Sequence, residues 1–233
     1  LVTGHYVRRI KASDSLELHT AIDETRDQSY FLFATTYAQL NFLSFPLGDL
    51  TKHETRSIAN KYALSVTNKP DSQDICFVPD GDYRSFVNER VESVNGEIID
   101  MSGHKLGQHT GIINYTVGQR KGLPSRGGGA PLYVANIDAK SNTVVVGEES
   151  DLLSDRVSVD SLSFISGDIP DEGTKLEAKI RYRAATVPAK IIFSEDRTEV
   201  VFSRPQRAAT PGQSIVFYNG EQLLGGGTIK GVL

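Results

Sequence analysis

The first twenty residues alternate. "HYVRRI" and "LELHTAI" set apolar and polar side chains on opposite faces, the period-two signature of half-buried strands, and the polar "KASDS" between them reads as a turn. The next apolar stretch, "SYFLFATTYAQLNFL" (Ser29 to Leu43), has the length of a helix, while its aromatic content leaves a strand reading open. In "TKHETRSIANKYA" the pattern is helical. Thr51 and Glu54 have capping-box spacing, in which each side chain satisfies a free N–H of the first turn, and Ile58, Ala59 and Tyr62 share one face. "DGDYRSFVNERV" predicts another short helix, with Asp80 as N-cap and Tyr83, Phe86, Val87 and Arg90 three to four residues apart.

After Val94 short strands and glycine turns take over. "GEIID", "GIINYTVGQR", "PLYVANID" and "TVVVGEE" predict a small β-rich unit. From Arg156 onward the pattern is purely β. "KLEAKIRYR" alternates strictly: Leu176, Ala178, Ile180 and Tyr182 face one way, Lys175, Glu177, Lys179, Arg181 and Arg183 the other. "AKIIFS" and "TEVVFS" flank the turn "EDR", and "SIVFY" and "EQLLGGG" flank Asn219-Gly220, a strong hairpin signal. Strands with turns at such spacing predict a small antiparallel barrel. The fold class is therefore α/β plus β. The expected division is an α/β part over 1–88, a small β-rich domain over 89–154 and a β-barrel over 155–233.

Composition narrows the classes. Apolar residues are 39% and charged residues 23%, values ordinary for a globular protein. No window approaches the roughly 18 apolar residues of a membrane span, and no basic-then-apolar leader opens the chain. The single cysteine rules out an internal disulfide framework and a cysteine-rich zinc site. It fits a reducing compartment, and the five histidines show no ligand-like pairing. A net charge of −4 argues against a generally basic nucleic-acid coat, though not against a local basic face. The opening "LVTGHYVRRI" is strand-like and lacks an initiator Met, so the sequence is expected to begin inside a domain.

Several positions carry candidate chemistry, each with a plainer alternative. Cys76, in "KPDSQDICFVPDGD", is either a buried small apolar residue or a nucleophile. A thiolate needs a nearby cation or helix N-terminus; the helix expected from Asp80 offers the latter, while Asp71, Asp74, Asp80 and Asp82 oppose it. Gly4 in "TGHY" follows a strand start and is either a strand-end glycine or a place where a nucleotide approaches the backbone; His5 contacts a ligand or caps the strand. "RDQSYF" reads as a helix-capping cluster with Asp27 or Ser29 as N-cap, or as a polar surface for a phosphate or base. "GLPSRGGGAP" opens no helix, so it reads as a surface connection rather than a phosphate loop. The "KIRYR" face, with Tyr182 beside Arg181, is either a solvated strand face or a place where stacking and charge hold unpaired RNA.

The ordered set "TGHY", "RDQSYFL", "FPLGDLTKHETR", "DSQDICFVPDGDY", "YTVGQRKGL", "KIRYR", "TPGQSIVFY" and "LGGGTI" resembles the tRNA-specific 2-thiouridylases from one end of the chain to the other. The resemblance implies the remnant of a nucleotide-binding α/β domain of the PP-loop ATPase type, a β-rich linker domain and a tRNA-binding barrel. It implies an ATP-dependent sulfurtransferase, working with Mg²⁺, that converts a tRNA wobble uridine to 2-thiouridine through an adenylated uridine and a cysteine persulfide. Cys76 matches the persulfide-bearing cysteine and Gly4 a position lining the ATP site. His5, Arg26, Asp27, Gln28, Arg181, Tyr182 and Gln213 match tRNA-contacting positions. The implied partners are tRNA and a sulfur-relay donor protein, in the cytoplasm, with no membrane and no metal ligand. The family's "SGGVDSS"-type phosphate loop and its second cysteine have no counterpart here, so the chain is expected to be N-terminally truncated and to thiolate poorly alone. The competing expectations are a non-catalytic RNA-binding or sulfur-carrying fragment, and an unrelated thiol enzyme such as a peroxidase.

Overall fold

Strand β1 (Val7–Ala12) folds back on β2 (Ser15–Thr20) in an antiparallel hairpin running from Val7↔Thr20 to Ala12↔Ser15, as the alternation predicts. The computed structural model describes residues 1–13, 15–67, 86–87, 89–91, 93–124, 129–170 and 174–233. Cys76, its acidic neighbours, the start of the helix expected from Asp80 and most of "PSRGGG" lie outside the described residues.

The apolar run after the hairpin is not one helix. A single 3₁₀ turn covers Ser29–Leu32, and α1 (Tyr37–Phe42) starts afresh because Thr36 caps it: its hydroxyl accepts the Gln39 N–H while the Gln39 side chain accepts the Thr36 N–H. Arg9 reaches the far end of α1 and donates to the Leu40 and Asn41 carbonyls at 3.5 and 3.2 Å. Helix α2 (Lys52–Lys61) begins at the predicted Thr51–Glu54 capping box. Its expected apolar face is not buried, since Ile58 and Tyr62 are 44% and 68% exposed.

The chain forms two compact units. One comprises 1–69, 155–205 and 210–233, the other 70–154 and 206–209. The first therefore joins the N-terminal segment to the β-strands of the C-terminal third.

In the first unit, β7 (Leu153–Phe164), β8 (Glu177–Lys179), β9 (Val187–Phe193), β10 (Thr198–Arg207), β11 (Ser214–Asn219) and β12 (Gln222–Val232) pair in the order β12-β11-β8-β9-β10-β7, and β7 pairs back onto β12. That closes the expected antiparallel barrel with six strands. The sheet does not stop at the barrel. β2 pairs with the start of β12 through His19↔Gln222 and Leu18↔Leu223, so the N-terminal hairpin extends the same hydrogen-bonded sheet.

Strand β11 is buried on both faces. Ile215 and Phe217 point one way, with Phe217 stacked on Phe164 at 6.0 Å. Val216 and Tyr218 point the other way, into a core shared with Val7, Leu18, Tyr30, Leu40, Phe45 and Leu223. At about 1.5–3 kcal/mol for each large apolar side chain removed from water, this cluster is what binds the segment to the barrel. The triple glycine of β12 allows the close approach. A Cβ on Gly226 would lie 2.5 Å from Phe33 Cδ2 and 2.6 Å from the Ile215 carbonyl oxygen, and one on Gly225, where φ is +153°, would lie 2.1 Å from the Ser163 carbonyl oxygen.

Two strand expectations change. Pairing at β8 ends at Lys179 instead of running to Arg183. The β11–β12 turn is centred on Gly220-Glu221 rather than Asn219-Gly220, since Asn219 pairs with Gln222 and Gly220 takes the left-handed φ of +59°.

The second unit holds β3 (Gly96–Asp100), β4 (Lys105–His109), β5 (Tyr133–Asp138) and β6 (Thr143–Gly147) in the order β4-β3-β6-β5, with β3 and β6 parallel. Ile98, Val117, Leu132, Val134, Val144, Val146 and Ala208 fill its core. The predicted strand "GIINYTVGQR" is instead a 3₁₀ turn over Ile112–Asn114 followed by turns, because Gly111 enters with φ +140°. His109 is buried against this sheet. Its Nδ1 accepts the Gly111 N–H at 3.1 Å, which leaves Nε2 as the donor to the Asn142 carbonyl at 3.1 Å, a structural role.

Candidate nucleic-acid interface

The 3₁₀ turn at Ser29–Leu32 is organised by its two preceding residues. Gln28 bonds Tyr6 twice: its N–H donates to the Tyr6 carbonyl at 3.0 Å, and its side-chain oxygen accepts the Tyr6 N–H at 2.9 Å. Asp27 is 9% exposed. Its carboxylate accepts the Ala21 N–H at 3.0 Å, the Ser29 N–H at 3.2 Å and the Ser29 hydroxyl at 2.7 Å. Because Ser29 donates to Asp27, the Tyr218 hydroxyl of β11, 3.1 Å away, is the donor to Ser29. Burial pushes the Tyr218 hydroxyl far above the ordinary tyrosine value.

Tyr30 is the hub. Its hydroxyl donates to the Ser214 carbonyl at 2.9 Å, and its ring lies 6.3 Å from that of Tyr182. Burial raises its pKa, and the positive charge of Arg181 works in the opposite direction. Ser214 is also the residue that the β8–β11 register, Lys179↔Val216, would set opposite Arg181. With that carbonyl bonded to Tyr30, the chain leaves the strand and turns through Arg181 and Tyr182, closing with the Ala184 N–H on the Arg181 carbonyl. Tyr182 then packs on Phe31 at 4.6 Å, and the Lys179 ammonium sits 5.9 Å from the Tyr182 ring centre. Burial lowers the Lys179 pKa, while the Asp27 charge partly restores it.

The candidate residues that the structure describes thus gather in one unit. Arg26, Asp27 and Gln28 enter the turn; Arg181 and Tyr182 meet it from the end of β8; Gln213 precedes the Ser214 that bonds Tyr30. The Gln213 side-chain oxygen is buried without a hydrogen-bond partner among the described residues. Gly4 and His5 precede the Tyr6 that Gln28 grips. His5 Nδ1 lies 2.7 Å from the Thr3 hydroxyl. Gly4 is exposed, and a Cβ there would make only an ordinary 3.7 Å contact with Leu47, so the fold itself does not demand glycine at that position. Asp27, by contrast, turns its carboxylate inward. Among the described residues no group of three His, Cys, Asp or Glu side chains is placed to hold a metal, and no helix is long and apolar enough to cross a membrane. Sequence reasoning did not single out Phe31. The signal for Phe31 was an aromatic pair in "QSYFL", absorbed there into a helix.

Comparison with known proteins supplies the class. Three families match in succession: one described as tRNA methyl transferase HUP domain over residues 1–80, one as tRNA methyl transferase PRC-barrel domain over 84–148, and one as aminomethyltransferase beta-barrel domain over 154–229. The three matches follow one another along nearly the whole chain. The tRNA-specific 2-thiouridylases MnmA of Rickettsia felis and Rickettsia canadensis are 48% and 47% identical to it over 98% of its length. Along nearly its whole length the chain is similar to these tRNA-specific 2-thiouridylases. It spans 64% of the length of the R. felis relative and 63% of the R. canadensis relative.

Proposed function

We propose that this chain is the tRNA-holding and sulfur-carrying part of a tRNA-uridine 2-sulfurtransferase. The observation that supports it best is the convergence just described. Two segments about 150 residues apart in sequence meet as an aromatic and cationic surface, the combination that holds unpaired RNA.

In this reading Arg26, Gln28, Arg181, Tyr182, Gln213 and His5 contact the tRNA. Asp27 fixes the turn that presents them, and Gly4 lets ATP, with Mg²⁺, approach the backbone. When bound, ATP supplies the AMP that makes the uridine O2 a leaving group. Cys76 carries the sulfane sulfur received from a donor protein. The terminal sulfur attacks C2, the C–S bond forms and the C–O bond breaks with loss of AMP. A second thiolate then attacks Cys76 Sγ: a new S–S bond forms as a disulfide with Cys76, the old S–S bond breaks, and its electron pair leaves on the sulfur now attached to C2, giving 2-thiouridine. That thiol is not one of this chain's own, since it has one cysteine. A single cysteine in the sequence fits a reducing, cytoplasmic setting.

The test presents the chain with ATP, a persulfide donor and unmodified tRNA. Intact-mass measurement is expected to find an added sulfur on the parent and none on Cys76→Ser, with tRNA binding equal in both. Nucleoside mass spectrometry for 2-thiouridine then separates turnover from carriage alone. A Cys76→Ser variant that still takes up sulfur, or that loses tRNA binding, would sink the assignment of Cys76.

A further inference from the structure

Phe31 is 57% exposed, yet its ring is held in place. Tyr30 meets it edge-on at 5.6 Å with planes at 88°, and Tyr182 lies against it at 4.6 Å, tilted by 40°. Its backbone is fixed as well, the Phe31 N–H donating to the Gln28 carbonyl at 3.1 Å. An aromatic ring held by two others while more than half exposed offers a preformed flat surface, with little side-chain freedom left to lose on binding.

The surroundings specify the ligand. Lys179 lies beside the Tyr182 ring, Arg181 precedes it, Arg183 follows it exposed to solvent, and Arg26 opens the turn that carries Phe31. A purely apolar partner would take these cations out of water at a cost. A nucleotide satisfies both halves of the surface, with its base on the ring and its phosphate among the cations.

We propose that Phe31, backed by Tyr182, is a stacking platform for one unpaired base of a bound RNA, with Lys179 and Arg181 beside the adjoining phosphate. The proposal rests on the RNA reading above and adds to it a base-binding residue outside the Arg26–Gln28 and Arg181–Tyr182 segments that sequence resemblance marks.

The chain contains no tryptophan, so Phe31→Trp places a single indole fluorophore at the platform. The probes are an RNA hairpin with a single-stranded loop and the same stem closed as a blunt duplex. The hairpin is expected to quench F31W emission and the duplex to leave it unchanged. Phe31→Ala is expected to weaken hairpin binding by about five- to a hundredfold, the range of one stacked base, with duplex binding unaltered and F31W restoring affinity. Phe193→Ala, at a 49% exposed aromatic on β9, is expected to change neither. Because Phe31 is exposed, circular dichroism and the melting temperature should match the parent. Parent-like hairpin binding by Phe31→Ala, or unquenched F31W in the hairpin complex, overturns the platform and leaves the RNA reading standing. A parent chain that binds neither probe overturns the RNA reading itself.

Discussion

Asp27 tests whether a residue of the proposed RNA surface touches the ligand or builds the surface. Replacing it with alanine removes the acceptor from the Ala21 N–H, the Ser29 N–H and the Ser29 hydroxyl, and frees the Ser29 hydroxyl that now receives Tyr218. Each buried donor left without an acceptor costs about 1–3 kcal/mol. A water entering the vacated carboxylate volume recovers part of this, which puts the total at about 3–5 kcal/mol, the range for removing one member of a buried charged network. For a protein of this size that is a fall in melting temperature of about 6–20 °C. Asp27→Asn keeps one acceptor oxygen for the two backbone N–H groups and should cost about 1–2 kcal/mol. Urea and thermal unfolding give the stabilities, and tRNA binding measured within the folded baseline gives the contact. The structural role requires a large loss of stability and near-parent binding by whatever remains folded. An Asp27→Ala protein that melts with the parent but binds tRNA about tenfold more weakly would refute it and make the carboxylate a direct contact.

Gly226→Ala forces a carbon roughly 1 Å inside normal contact with Phe33 and the fixed Ile215 carbonyl, so urea unfolding should show a loss of about 2–3 kcal/mol; a loss under about 0.5 kcal/mol would mean the two elements are not pressed together. Arg181→Ala is expected to weaken tRNA binding and to reduce the slope of log affinity against log salt by about 1, whereas an unchanged slope makes Arg181 a solvated face residue. Three turn carboxylates share one pH dependence. Hydrogen bonds, led by those from the Thr25, Ser102 and Ser141 side chains, hold Asp23, Asp100 and Asp138 below the ordinary carboxylate value of 3.8, Asp100 at about 2. Their contribution is therefore complete above the unfolded value and is lost as pH falls through the folded one. The urea midpoint should drop between about pH 4 and 2, and Asp100→Asn should flatten part of that drop.

Local chemistry was legible wherever local chemistry decides. The β1–β2 hairpin, the Thr51–Glu54 cap and the strands of the barrel follow from alternation, capping spacing and turn residues. The run Ser29 to Leu43 was misread because apolar content masked the Thr36–Gln39 cap that starts a new helix inside it. "KLEAKIRYR" keeps its alternating burial, with Ala178 and Ile180 inside, but leaves the strand after Lys179 where Tyr30 has taken the Ser214 carbonyl. That partner is encoded far away in the chain, so no window around Arg181 contains it. The same distance hid the site. "RDQSYF" and "KIRYR" each read more simply as a cap and a solvated face, and they become one surface only through contacts such as Phe31 with Tyr182.

The seam between Leu18 and Leu223 has a bearing on synthesis. The N-terminal hairpin leaves the ribosome with its outer edge unmatched, and the strand that covers it arrives about two hundred residues later. That same strand also shuts the barrel, so both halves of the unit reach their final form in one late event. A nascent chain stalled before Gln222 would expose a bare hairpin edge and an open cylinder together, the kind of surface that chaperones and proteases recognise.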